Sequence, residues 1–433
     1  MFPMLLILIV SGIPVAFSLL ITAAVIGYFV FGASLLHMMT SKLDVVVSDG
    51  LLAAIPLFIF MGAMLQHSGI AERLFRVLHE WLRWVPGSLA VTAIVMGTIF
   101  ACAAGVVGAT ETVIGLLLVP AMLKHGYNKP LLSGTICAGG SLGTVIPPSI
   151  TVIVLGPIAN VSVGDLFAGL LFPGLIMAAL FLVYIVVTCW IWPDLAPRPE
   201  TQAAAIDRSL GEKLKDTVFA LLPTFILIFL VLGSILLGIA TPTEAAAAGA
   251  LGTIILSMVY RTLTLEVLAS AAKNTVSITA MILFIVVSGS IFASVFFGTG
   301  AMTAVQDAVK TVGLTPATGL GAILFIAFLG GFMLDLISLI LILVPVAMPV
   351  IKMLGINEVW FCVLLLVVLQ TSYLSPPMAP SIFYLRAIAP PEIKLMDMYK
   401  GVLPFIGLQI MTLILILLFP ALALWLPSRM VGF

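Results

Sequence analysis

Residues 137–150 read C-A-G-G-S-L-G-T-V-I-P-P-S-I, and they lie inside a run, 130–164, that has no Lys, Arg, Asp or Glu. The run is apolar enough to sit in a membrane, yet glycines, hydroxyls and a Pro-Pro pair fall where a spanning helix should be regular. Backbone freed at bilayer depth is tolerated only where protein or a watery cavity satisfies it. Residues 370–381, Q-T-S-Y-L-S-P-P-M-A-P-S, repeat the pattern. Two interrupted segments at corresponding positions of two halves are the best sequence pointer to a transporter's binding site.

Working outward, the composition agrees. Of 433 residues, 62% are hydrophobic and 8% charged, where a soluble chain carries about 25% charged residues. The mean hydropathy is +1.31. The apolar windows exceed the ~20 residues of a spanning helix, whereas barrel strands would alternate over about 10. The expected class is therefore an all-α polytopic membrane protein. The first apolar run lacks a basic start and is long, so it reads as a retained span rather than a signal peptide. Eighteen basic and eighteen acidic residues balance, and no basic surface suggests nucleic acid. Cys102, Cys137, Cys189 and Cys362 show neither disulfide nor metal spacing, and the histidines show no ligand spacing.

Charges divide the chain into membrane-sized pieces. Spans are expected over 4–31 and 51–66, with an amphipathic interfacial segment over 71–85. A re-entrant hairpin is expected over 88–123, a broken helix over about 130–160, and a span over 166–192 closing on Trp190 and Trp192. A polar linker, 201–216, follows. The second half repeats the order, with spans at 217–237, 245–260 and 274–299. A hairpin at 315–352, a broken helix at about 359–385 and a last span at 401–426 complete it. Arg198, Arg208, Lys213 and Lys215, with Arg73, Arg76 and Arg83, point to the cytoplasmic side.

Five landmarks recur in order. Pro14 pairs with Pro242, Gly69 with Gly300, Pro120 with Pro345, Gly126 with Gly355, and Pro147-Pro148 with Pro376-Pro377, at offsets of 225 to 231. Two structural repeats, 1–200 and 217–433, follow. The arginines after Gly69 have only Lys310 as counterpart after Gly300, a hint that the repeats are inverted.

Few polar groups sit at probable membrane depth. Asp335, near Gly330, Gly331 and Ser338, reads as an ion- or solute-binding group, since an intramembrane carboxylate is expensive; the alternative is a carboxylate that caps or hydrogen-bonds within the hairpin. Glu111, between Thr110 and Thr112, is open to the same two readings. Thr241-Pro242-Thr243-Glu244 reads as a capping box with Pro at its preferred place. Around the Pro-Pro pairs, freed carbonyls and the hydroxyls of Ser141, Thr144, Ser149, Thr371, Ser372 and Ser375 offer oxygens to a cation. Arg386 could attract an anion or snorkel to headgroups. No phosphate loop and no nucleophile–base pair is present, so the chain reads as a transporter and not an enzyme.

With these pieces placed, the chain resembles the large, DctM-like membrane subunit of tripartite ATP-independent periplasmic transporters. The resemblance rests on G-I-P-V-A-F, I-P-L-F-I-F-M-G-A-M-L with H-S-G-I-A-E-R-L, L-L-V-P-A-M-L, G-G-S-L-G-T-V-I-P-P-S, A-T-P-T-E-A-A-A, Leu334-Asp335, and S-P-P-M-A-P-S with A-I-A-P-P. It implies two inverted repeats building a scaffold and an elevator-type transport domain. Partners would be a small four-helix, DctQ-like membrane subunit and a DctP-like periplasmic binding protein. The work would be sodium-coupled import of organic acids, such as dicarboxylates, across the bacterial inner membrane, with no covalent cofactor. Carried onto this chain, one sodium site would use Gly105, Gly108, Ser141, Thr144 and Pro147. The other would use Gly331, Asp335, Ser338, Thr371, Ser372 and Pro376. Substrate would meet Gly108, Thr110, Gly143, Thr144, Asp335, Ser338, Ser375 and Met378. The first hairpin tip departs from the serine-rich tip of many relatives, reading A-G-V-V-G-A over 104–109, so backbone oxygens would supply more of that site. Rival readings are a single-component ion-coupled carboxylate transporter and a proton-conducting complex subunit.

Overall fold

Prolines, glycines and short polar side chains set the helix ends in the computed structural model, which describes residues 1–105, 107–197, 210–376 and 378–430. The single span expected over 4–31 is two helices, α1 (Phe2–Val10) and α2 (Val15–Phe31). Gly12 takes a left-handed backbone, φ 85°, and Pro14, which has no N–H to continue α1, stands at the start of α2. A short helix α3 (Ser34–Val47) follows, unforeseen because its Thr, Ser, Lys and Asp hide a weak apolar stripe. Helices α4 (Ala54–His67) and α5 (Ile70–Leu82) meet at a 64° bend on Gly69. Ile70, Leu74, Val77 and Leu78 of α5 are buried while Trp81 and Trp84 are exposed, the amphipathic layout of an interfacial helix.

Helices α6 (Ser88–Ala104) and α7 (Val107–Lys124) form a hairpin turned by Gly105, φ 60°. Asn128 caps α8 (Lys129–Ser141), which tightens at residues 142–144, opens, and resumes as α9 (Ile150–Ala159) before the long α10 (Val163–Ile191). Arg198, Arg208 and linker residues 201–209 lie outside the described residues. Helix α11 (Leu210–Ile228) runs through a widened turn, Phe229–Gly233, into α12 (Ser234–Leu236). The box ahead of α13 (Pro242–Val259) forms as its residues direct, with the Thr241 N–H donating to Glu244 at 2.8 Å. Helix α14 (Leu265–Gly298) starts before its apolar run because Thr264 caps it. Then come α15 (Ala301–Val312), the hairpin α16 (Pro316–Gly330) with α17 (Leu336–Met353), α18 (Glu358–Leu374), α19 (Pro380–Ile388), α20 (Leu395–Leu418) and α21 (Ala421–Leu424). Among the described residues six helices are long and apolar enough to cross a membrane, and the bent α4–α5 pair is a further candidate.

Helix directions follow from the contacts. Met64, late in α4, packs with Ala271, early in α14, while Leu52 ahead of α4 shares a wall with Val286 and Gly289. These two therefore run antiparallel. Helix α13 runs parallel to α4: Thr243 donates to the Gly50 carbonyl at 3.0 Å and Thr262 to the Ser68 carbonyl at 3.1 Å. Helix α2 runs parallel to the second half of α14, with Phe17 against Phe284 and Gly27 against Val295. Elements at matching places in the two halves, α4 with α14 and α2 with α13, so point in opposite directions. Trp81 Nε1 donates to Thr217 at 2.8 Å and Lys213 lies 3.7 Å from Glu80, placing α5 and the start of α11 on one face.

The breaks sit at the centre. Residues Leu131 to Ser141 of α8 and Phe361 to Leu374 of α18 are all buried, so neither helix needs an amphipathic stripe. Glycines let backbones touch where lipid-like side chains supply no hydrophobic drive between helices. A Cβ on Gly134 would overlap the Gly401 carbonyl of α20, and a Cβ on Gly97 would overlap the Gly139 carbonyl.

Candidate substrate and ion site

Proline cancels the donors that two helices would need. In a continuous helix, residues 147 and 148 would donate to the carbonyls of Gly143 and Thr144, and residues 376 and 377 to those of Ser372 and Tyr373; all four positions are proline. Pro377 itself lies outside the described residues. Among the described residues, no backbone N–H reaches the carbonyls of Val145, Ile146, Pro147 or Pro148. Most neighbouring hydroxyls are turned inward: Ser141 donates to Ala138, Thr144 to Ser141, Ser149 to Thr144, Thr371 to Val368 and Ser375 to Thr371, at 2.6 to 2.9 Å. Ser372 Oγ is buried with no partner. The free oxygens at the breaks are thus carbonyls, the Ser372 hydroxyl and the side-chain oxygen of Gln370.

Each hairpin tip lies on the break of its own repeat. A Cβ on Gly105 would overlap the Pro148 carbonyl oxygen, and one on Gly331 would overlap the Ser372 hydroxyl. The two breaks also meet each other. Gln370 Nε2 donates to the Ser141 carbonyl at 3.2 Å, and these residues are 229 apart, the offset of the proline pairs.

Beside this centre is a cavity of about 380 Å³. Gly105, Gly108 and Thr112 of the first hairpin line it, with Ile150 and Thr151 of α9, Ile337 of α17, Tyr373 and Tyr384. Its other wall is Gln66 of α4 and Asn274, Ile278, Met281 and Ile282 of α14. The lining carries amides, hydroxyls and two phenols but no charged side chain. Helix α9 points its N-terminus at the cavity. Ser149 spends its hydroxyl on the Thr144 carbonyl, so no side chain caps that end. The orphan N–H groups and the positive end of the helix dipole are left for an anion.

Of the sequence candidates, Gly105 and Gly108 face the cavity, with the Tyr384 ring lying over Gly108. Thr110, Ser141, Thr144, Ser338 and Ser375 are buried and, like Gly143, Asp335 and Met378, do not line it; Met378 is exposed. Gly331, Thr371, Ser372 and Pro376 gather at the second tip and break. Arg386 donates to the Ile393 carbonyl at 3.0 Å, so its guanidinium serves the following loop. Tyr373, Tyr384, Gln66, Asn274 and Thr151 went unnoticed in the sequence, since single neutral side chains carry no motif.

Asp335 is the N-cap of α17, accepting from the Ser338 N–H at 3.2 Å and from the Ser338 hydroxyl. Cap and ion roles separate by substitution. Asp335→Asn keeps the cap acceptor, whereas Asp335→Ala removes it at a cost of about 1 kcal/mol. If the charge serves transport, both variants lose uptake. If it only caps, Asp335→Asn transports normally and Asp335→Ala lowers the melting temperature. Uptake and melting, measured side by side, decide.

Residues 2–422 match the family described as "Tripartite ATP-independent periplasmic transporter, DctM component". The chain belongs to this family. It is therefore a large permease component of such a transporter and an inner-membrane protein of bacteria. Among curated relatives, it is 31% identical over 422 residues to the ectoine TRAP transporter large permease protein TeaC of Halomonas elongata, covering 97% of this chain and 96% of that one. It is 28% identical to the C4-dicarboxylate permease DctM of Vibrio cholerae, covering 98% and 96%. It is also 28% identical to the sialic acid permease SiaM of the same species, covering 98% and 97%. The fold matches the solved Alcanivorax borkumensis YdaH transporter, with TM-score 0.62, 16% identity and 98% and 99% coverage. It also matches the Neisseria gonorrhoeae efflux pump MtrF, with TM-score 0.64, 16% identity and 97% and 94% coverage.

Proposed function

We propose that this large permease imports an organic acid by sodium symport, together with a small DctQ-like membrane subunit and a DctP-like periplasmic binding protein. The observation that carries the reading is the uncapped N-terminus of α9 at a cavity that has no charged lining. A carboxylate there would meet free N–H groups and the dipole, and bound cations would supply the remaining positive charge. The carbonyls between Val145 and Pro148, with Gly105 against them, suit one sodium ion; Ser372, the carbonyls beside it and Gly331 suit a second. Alkali ions prefer such neutral oxygen shells, and among the described residues no cluster of His, Cys, Asp and Glu competes with them.

The cavity lies between α4 with α14 on one side and both hairpins with both breaks on the other. That placement supports a scaffold and a transport domain sliding past it, and the opposed directions of α4 and α14 support inverted repeats. The experiment is uptake of a labelled organic acid into proteoliposomes holding all three components. With sodium outside, solute should accumulate. With potassium replacing sodium it should fall to the leak rate, and full-rate uptake in potassium would overturn the coupling.

A further inference from the structure

Behind the cavity wall, Glu111 of α7 is fully buried, and neither carboxyl oxygen has a hydrogen-bond partner. Gly108 and Thr112 on the same helix face the cavity, whereas the Glu111 side chain lies against Gly140 of α8. A Cβ on Gly140 would overlap it, so the missing side chain is what admits the carboxyl. Cys137 of α8, Tyr373 of α18 and Tyr384 of α19 are the titratable groups within its electrostatic reach. Among the described residues, α4, α5, α6 and the 142–144 turn, which also pack on α7, bring no charged group to it.

An ionised carboxylate in that position would be desolvated and unpaired, a state folded proteins avoid by neutralising the group or pairing it. A sodium ion would ask for a shell of oxygens, and beside the carboxyl α8 is still helix through Ser141. A proton asks for one oxygen. Ser381 sits beside the carboxyl and donates to the Cys137 carbonyl at 3.2 Å.

We propose that Glu111 is a proton-binding site of the permease, loaded from the cavity past Tyr373 and Tyr384 and emptied in the course of transport. Loading forms one O–H bond on Glu111, breaks one in hydronium and returns a water. The site rests on the permease assignment alone and is independent of sodium coupling, because its signal is proton movement at zero sodium gradient.

Two measurements on the complete three-component system test it. With sodium equal on both sides, an acid-outside gradient should drive solute uptake by the wild type, with a trapped pH dye reporting lumenal acidification that requires the solute. Glu111→Gln, which keeps the shape and removes the proton, should lose the solute-coupled acidification. Infrared difference spectra of the purified permease should show a protonated-carboxyl band that disappears in Glu111→Gln, a readout that does not need the variant to transport. No solute-coupled acidification in the wild type overturns the proposal. So does an unchanged carboxyl band in the variant, or equal proton movement by both proteins.

Discussion

Gly105→Ala should abolish uptake while leaving the permease folded. Gly105 holds φ 60°, where a side chain costs about 1–2 kcal/mol, well short of unfolding a chain this size. The larger effect is local. The new Cβ overlaps the Pro148 carbonyl, a backbone atom that cannot rotate away, so the first hairpin tip must lift off the break. Lifting it opens the proposed ion site and shifts Gly105 and Gly108 out of the cavity wall. Gly331→Ala is the informative comparison. There the obstacle is the Ser372 side chain and the φ of −66° is ordinary, so Ser372 can yield and part of the activity should survive. Uptake and detergent melting curves of both variants check this; wild-type transport by Gly105→Ala would show that the tip need not touch the break.

The second large effect is on stability. Gly401→Ala should lower the melting temperature sharply, because its Cβ overlaps the Pro130 carbonyl and crowds the Gly134 nitrogen at the α8–α20 crossing. Overpacking a close-fitting contact costs about 1–3 kcal/mol, and more where two backbones must separate. Gly407, six residues on in the same helix, has open space around its Cβ position. Gly407→Ala should be neutral or stabilising by about 0.5–1 kcal/mol, since alanine is the better helix former. Equal melting temperatures for the two variants would remove the crossing from the list of what holds α8 in place.

Much of this was legible in the chain. The capping box at Thr241 and Glu244, the turn at Gly105 and the breaks at the two Pro-Pro pairs are local consequences of which residues can donate, cap or adopt a left-handed backbone. Asp335 was legible as costly, and its cap was one of the two roles open to it, but its partner Ser338 had to be seen. Gly12 and Pro14 carried the signal that divides the first apolar run, yet continuous hydrophobicity across 4–31 masked it, because lipid-facing helices need no periodic polar face.

Sequence alone determined that the chain is helical and membrane-embedded, and where its two Pro-Pro segments are interrupted. Length, hydropathy and proline chemistry act within a few residues of themselves, so they survive without coordinates. Only the tertiary structure decided what the interruptions face. That Gly105 meets Pro148, Gln370 meets Ser141, Glu111 enters the space above Gly140, and Tyr373 and Tyr384 close a cavity against α4 and α14 depends on helices far apart in the chain. Contacts of that kind arise from close packing across the bundle, and close packing is set by the shapes of both partners at once.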